Sequence, residues 1–454
     1  MSRSKRDLTN GPILSHMLRM SIPMTWGIFA IISFQLADLY FIGLLGTEPL
    51  AAISFTIPVT TIVFNVFLGL TIAMSSVLSR QIGEKNHDRV IRITTHGVSF
   101  SFLVGITLAL IGIIFMTPIF GLMGIHDNLM PLVREYMHIW FIGNIFLSIP
   151  MVSNAAIRAH GNTMFPAIVM TTAALVNLIL DPILIFGLLG FPELGIKGAA
   201  IASLIGDLCA MLAAIYMLGF RMKLLRFKPF YAHKFGDSLK RLLFIALPAG
   251  ITSIVQPVTS AVIIGMLASY GAETVAAYGI VSRVEAFAFI VLMGLAGGMS
   301  PILGQNWGAK AYERVNETLR IALGFSFLWA LGVAIVLFFF AEHIAGIFSD
   351  DPHIIEIARL YFWIVPISYI TGNLIMGWSS AFNAIGMPQR SLIMIFGKNL
   401  LVLVPAVLIG NYLYGVNGIF CAIASVNLVL GFVFHLWNRQ TCKKKQHEAD
   451  LTKE

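Results

Sequence analysis

Apolar residues fall along the chain in twelve runs, each of about 20 residues or more, the length a helix needs to cross a hydrocarbon core of roughly 30 Å. The runs occupy residues 19–45, 50–78, 94–118, 131–155, 165–190, 196–219, 243–269, 275–303, 318–343, 355–380, 390–411 and 416–437. Gly and Pro recur inside them, which is tolerated where neighbouring helices re-satisfy the backbone. Polar connections separate the runs, and one of these, residues 221–241, is long and basic. The pattern predicts an all-α membrane protein of twelve transmembrane helices.

The twelve runs form two sets of six. At an offset of 225 residues, Gly46–Ala52 (GTEPLAA) matches Gly271–Ala277 (GAETVAA), and Pro23 meets Pro248. Gly69-Leu70 meets Gly294-Leu295, Gly83-x-Lys85 meets Gly308-x-Lys310, and Arg89 meets Arg314. Near the ends the register slips by a few residues, pairing Gly195-Ile-Lys-Gly198 with Gly415-Val-Asn-Gly418. An even number of helices per half gives both halves one orientation, so they are parallel, pseudo-symmetric six-helix bundles related by an axis along the membrane normal. The predicted organisation is residues 1–220 as the first bundle, 221–241 as a basic linker, 242–438 as the second bundle and 439–454 as a tail.

Charge sets the expected orientation. Of the 30 Lys and Arg, only Arg134, Lys197 and Arg359 fall at one side, and only Arg283 and Lys398 fall within helices. The rest share the side of both termini and the basic linker, which the positive-inside rule makes cytoplasmic. The opposite connections carry Glu48, Asp127, Glu193, Glu273, Asp350 and Asp351. Only 11% of residues are charged and 57% are hydrophobic, against about 25% charged in a soluble domain. The net charge of +8 therefore reads as topology, and no nucleic-acid partner is expected. The first helix serves as its own insertion signal, and the expected location is the plasma membrane, the inner membrane of a bacterium. Cys209, Cys421 and Cys442 have no spacing of a disulfide framework or metal site. No phosphate-binding Gly-rich loop, His-Glu-x-x-His or nucleophile elbow occurs, so neither an ATP-driven engine nor an enzyme is expected.

The candidate chemistry lies in the first half. Asn177 and Asp181 are four apart in the fifth run and share a helix face, with Pro182 free to kink the helix beside them. Asp38 in the first run should lie at similar depth, and Tyr136 enters from the same side. Ser203 and Asn177 add neutral oxygens. Two carboxylates sharing a low-dielectric cavity cannot both ionise freely, which suits a proton carrier; ionised, Asp38, Asn177 and Asp181 offer hard oxygens to Na⁺. The bland alternative is a shared proton that only ties helices together. The repeat partner of Asp38 is Ile263, and Asp181-Pro182 pairs with Val404-Pro405, so these acids have no counterpart in the second half. Gln35, one turn from Asp38, either orients it or packs. Asn154 suits a cap near a helix end or, failing that, a substrate contact. Gln256, Arg283 and Lys398-Asn399 are cavity candidates, while Arg283 and Glu285 suit pairing with other helices better than substrate contact.

These features resemble the multidrug and toxic compound extrusion (MATE) family across nearly the whole chain. The resemblance rests on Gln35-Leu-Ala-Asp38, on Gly46–Ala52 and on Gln81-x-Gly83-x-Lys85. It rests also on Asn177-x-x-x-Asp181-Pro182 and on Gly195-Ile-Lys-Gly-Ala-Ala200. It implies an antiporter that exports organic cations and amphipathic toxic compounds in exchange for H⁺ or Na⁺. In the branch similar to DinF proteins, Asp38, Tyr136, Asn177, Asp181 and Ser203 match the cluster that carries the coupling ion, and Pro23 matches a proline at which the first helix bends. Gln256 and an Asn/Ser/Gly-rich tenth helix stand where the NorM-like branch has acids, which favours the DinF-like branch. The implied partners are small-molecule drugs and the bilayer, with no cofactor beyond the coupling ion and a monomeric state. A flippase for a lipid-linked or other amphipathic substrate is the rival transport reading; it would need more cations in its cavity than Arg283 and Lys398 supply.

Overall fold

A computed structural model describes residues 7–125, 128–226 and 234–451, with side chains to residue 440. Asp127, the middle of the basic linker and both extreme termini lie outside the described residues. The twelve expected helices are α1 (Ile13–Gly43), α2 (Thr47–Gly83), α3 (His87–Ile114), α4 (Met130–Ala159), α5 (Met164–Phe186) and α6 (Ile196–Arg221). The second six are α7 (Phe235–Ala268), α8 (Ala272–Gly308), α9 (Tyr312–Gly346), α10 (Pro352–Ile385), α11 (388–414) and α12 (416–451). The basic linker is shorter than expected, because α7 already begins at Phe235. Helix α10 is interrupted by a 3-10 turn at Pro366–Ser368, where Pro366 cannot donate to a helical hydrogen bond. Helices α11 and α12 run on with one break, at Gly415.

That break shows how faithfully the halves repeat. Gly415 has φ 59° and ψ −138°, and Gly195, its partner, has φ 54° and ψ −133°, a region open in practice only to Gly. Lys85 and Lys310 both adopt a left-handed φ, 57° and 58°. Beside them, Arg89 donates to Gln81 Oε1 at 3.2 Å and Arg314 donates to Asn306 Oδ1 at 2.9 Å. The same local sequence makes the same turn twice.

The bundles meet through α1 against α8 and α2 against α7, two contacts exchanged by the repeat, and through α2 against α8. They interlock tightly at the basic end, where Lys85, Arg89 and Lys310 lie. A Cβ on Gly294 would fall 2.0 Å from Thr25 Oγ1, and one on Gly298 would fall 2.5 Å from Ser21 Oγ. On the other side, a Cβ on Gly69 would fall 2.7 Å from the Ala246 carbonyl, and between α2 and α8 one on Gly83 would fall only 2.0 Å from that of Gln305. Polar contacts seal the same end: Gln305 Nε2 donates to the Ala159 carbonyl at 2.7 Å, and Ser76 Oγ donates to the Asn383 and Ala384 carbonyls. Pro23 lies in this seam, between Ser21 and Thr25. Having no N–H, it leaves the Arg19 carbonyl free, and that carbonyl accepts from Thr163 Oγ1 at 3.2 Å.

At the other end the bundles part. A Cβ on Gly265 of α7 or Gly279 of α8 would meet nothing within 4 Å, and Gln35, Leu36, Gln256, Val258, Arg283 and Phe287 are exposed. The conformer is a cleft, shut at the basic end and open at the other. A Gly294→Leu substitution should wedge the seam, since overpacking costs about 1–3 kcal/mol. The expected result is about a tenfold rise in maleimide labelling of a Cys placed at Ser21, relative to the Gly294 parent.

Candidate functional site

Four helices of the first bundle carry the expected residues: α1 holds Asp38, α4 Tyr136, α5 Asn177 and Asp181, and α6 Ser203. Helix α5 packs on both α1 and α6, and α4 on α6. Asp38 and Asp181 lie nearer the open end than the apolar runs suggested. Each is about five residues, or roughly 8 Å, from the last residue of its helix, and the two are within electrostatic reach of each other. Asp181 is fully buried, and neither of its oxygens has a hydrogen-bond partner; Asp38 Oδ1 and Asn177 Oδ1 are likewise buried and unpartnered. The Asn177 amide donates back to the Ala173 carbonyl at 3.0 Å, which leaves its oxygen free. Gly206 of α6 makes room for that amide, since a Cβ there would fall 2.5 Å from Nδ2. Tyr136 is buried within electrostatic reach of Asp38, Asp181 and a third acid, Asp207.

Asp207 escaped the sequence reading. It follows Gly206 and lies one turn beyond Ser203 on the same face of α6. An ionisable residue in an apolar run is the feature that singles out Asp181, and it holds for Asp207 as well.

The other candidate residues lie apart from this cluster. Gln35 is exposed on the cleft wall and makes no hydrogen bond to Asp38. Asn154 is not a cap, because α4 continues to Ala159. It is buried near the basic end with Oδ1 unpartnered, about 27 Å along α4 from Tyr136. Helix α5 carries Pro182 without interruption, and α1 likewise carries Pro23. Gln256 is exposed beside Pro257 on α7, and Lys398 lies in a π-helical stretch of α11, Gly397–Leu403.

The second bundle is not without an acid in its interior. Glu285 Oε1 accepts from Tyr361 Oη at 2.8 Å and from Tyr369 Oη of the same helix, α10. Tyr361 is the repeat partner of Tyr136 at the offset of 225. Both bundles thus place a tyrosine at one position and a carboxylate within reach of it, supplied from different helices. Glu285 pairs structurally, as expected; Arg283 does not. Tyr369→Phe should cost about 1–3 kcal/mol, the usual penalty when a buried polar group loses a partner, read as a lower melting temperature.

Unpartnered carboxyl and amide oxygens inside a membrane bundle are costly, and they suit a group that gains and loses a small cation. Among the described residues no nucleophile–base pair accompanies them. Comparison with known proteins agrees with this frame. The MatE family model matches residues 23–183 and again 248–408, two copies opening on Pro23 and Pro248 in the register of the internal repeat. The chain is 35% identical over 441 residues to a protein named FAD transporter from Shewanella oneidensis, covering 97% of this chain and 98% of that one. It is 26% identical to the multidrug export protein MepA of Staphylococcus haemolyticus, covering 95% and 96%. The fold is similar to the crystal structure of the Vibrio cholerae MATE transporter VcmN in the bent form, with a TM-score of 0.90 and 28% identity over 98% and 99% of the two chains. The chain therefore belongs to the MatE family, and it is a multi-pass membrane transporter of small molecules, not an enzyme.

Proposed function

We propose that this chain is a secondary antiporter that exports amphipathic small molecules, organic cations among them, in exchange for H⁺ or Na⁺. The observation that carries the reading is the set of orphaned oxygens on Asp38, Asn177 and Asp181, in a bundle whose partner lacks acids at those positions. The coupling ion binds there, with Tyr136, Ser203 and Asp207 beside it. Binding removes charge from the first bundle, lets α1 bend at Pro23 and narrows the bundle's interior, so that substrate leaves through the open end. With the basic end cytoplasmic, a reading that the placement of Lys and Arg supports, the cleft faces outward. Both termini are then cytoplasmic and the protein works as a monomer in the bacterial inner membrane. The ion and the substrate must bind the two conformers unequally for one to drive the other.

The test is export from proteoliposomes with a pH gradient and a Na⁺ gradient imposed separately. Acceleration by one of them identifies the coupling ion; acceleration by neither refutes antiport. A second reading of the substrate, a flavin nucleotide, is favoured by the similarity to the Shewanella FAD transporter, which exceeds the similarity to the Staphylococcus multidrug exporter in sequence identity.

A further inference from the structure

Arg283 has no role in the coupling cluster. It lies about eleven residues, or roughly 16 Å, along α8 from the open end, at the depth of hydrocarbon. On a helix, the directions of Arg283, Phe287, Gly294 and Gly298 fall within about 60° of one another. Gly294 and Gly298 are the residues that press on Thr25 and Ser21 of α1. The same stripe continues past the seam as Phe287, 39% exposed, and Arg283, also exposed. Arg283 therefore faces the first bundle across the cleft, not the lipid.

No carboxylate among the described residues pairs with it. Glu285, two residues on, lies on another face of the helix and is held by Tyr361 and Tyr369. On the four helices that line the cleft, α1, α2, α7 and α8, Arg283 is the one basic residue away from the basic end. Its repeat partner on α2 is Pro58, and that of Phe287 is Ile62. The charge and the ring thus mark a single wall of a pseudo-symmetric cleft. An Arg at this depth without a counter-ion is costly and is retained for a task. Its planar fork matches phosphate oxygens in a bidentate fashion, and an aromatic side chain one turn away offers a face for stacking.

We infer that Arg283 anchors the phosphate of an aromatic, phosphate-bearing substrate whose ring lies on Phe287. The inference rests on the transport role proposed above and names the chemistry of its cargo. It is tested on the purified full-length chain by flavin-fluorescence titration with FAD, FMN and riboflavin, which share a ring system and differ in phosphate. The expected result is binding of FAD and FMN about tenfold or more tighter than riboflavin. In Arg283→Gln that ratio falls to about one, and Arg283→Lys keeps part of it. Phe287→Leu weakens all three flavins by similar factors. Equal binding of the three by the parent chain, or a parent-like ratio in Arg283→Gln, would overturn the inference. Gradient-driven export of ethidium and of FAD by the parent chain is measured alongside. If either is exported while the phosphate preference is missing, this assignment fails and antiport stands; if neither gradient drives export of either compound, antiport itself fails.

Discussion

Asp38→Asn and Asp181→Asn should each lower gradient-driven export by about 100-fold or more while leaving the chain folded. The size follows from what coupling demands. Moving a two-state carrier from one conformer to the other takes an ion that prefers one of them by about 5.5 kcal/mol. Asn has the shape of Asp but can neither take a proton nor carry the charge that holds Na⁺, so that preference disappears. The folding side is asymmetric. Asp181 makes no hydrogen bond through either oxygen, and Asp38 makes none through Oδ1, so the amides sever nothing at those atoms, and an orphaned buried carboxylate is removed. The melting temperature should therefore stay level or rise. Substrate counterflow with no imposed gradient should persist, because it needs the cleft to open and close but not to be driven. Full export in both variants would remove the coupling role from this cluster. A fall in counterflow as large as the fall in driven export would make the two acids structural.

Much of this architecture was legible in the sequence, and the reason is physical. A bilayer imposes one length on every crossing, so twelve apolar runs give twelve helices, including the pair joined at Gly415 that the backbone nearly fuses. The 225-residue register was legible because turns and seams depend on particular residues: Gly69 and Gly294 allow backbones to touch, and Lys85 and Lys310 close identical turns. Asp38, Asn177 and Asp181 are legible because charge and amide groups stand out in apolar helices, and Tyr136 because it enters from the same side and matches the family's pattern. Asp207 obeyed the same rule and was passed over. Tyr361 could have been found by adding 225 to Tyr136. Other features could not be read this way. Which side of α8 carries Arg283 depends on which glycines form the seam, a property of two helices in contact and not of one alone. That the seam closes the basic end is likewise a fact of packing between bundles. The role given to Asn154 failed because a helix end was placed too early; α4 runs on to Ala159.

The largest loss of stability should come from the two helical hairpins at the open end. A Cβ on Gly418 would lie 1.9 Å from the Gly410 carbonyl oxygen, and one on Gly198 would lie 2.5 Å from that of Leu184. Each glycine follows a left-handed reversal, at Gly415 or Gly195, that already confines the chain. Leu at either site forces whole backbones apart, with no flexible side chain to yield, and should cost about 3 kcal/mol or more. Gly324→Leu on α9, where a Cβ meets nothing within 4 Å, is the control that should melt with the parent. A Gly418→Leu chain that melts with the control would show the hairpin to be dispensable. The milder Ala substitutions separate structure from function. Leu184 is one turn from Asp181, and its carbonyl also accepts from Leu194 N at 3.1 Å, so Gly198 fixes the end of α5 on which the acid sits. The matching stretch of the second bundle has Val404-Pro405 in place of Asp181-Pro182. Gly198→Ala should therefore lower driven export by more than its loss of stability explains, whereas Gly418→Ala should lower stability alone. Equal losses of export per degree of melting in the two variants would mean that the position of Asp181 is not held through this contact.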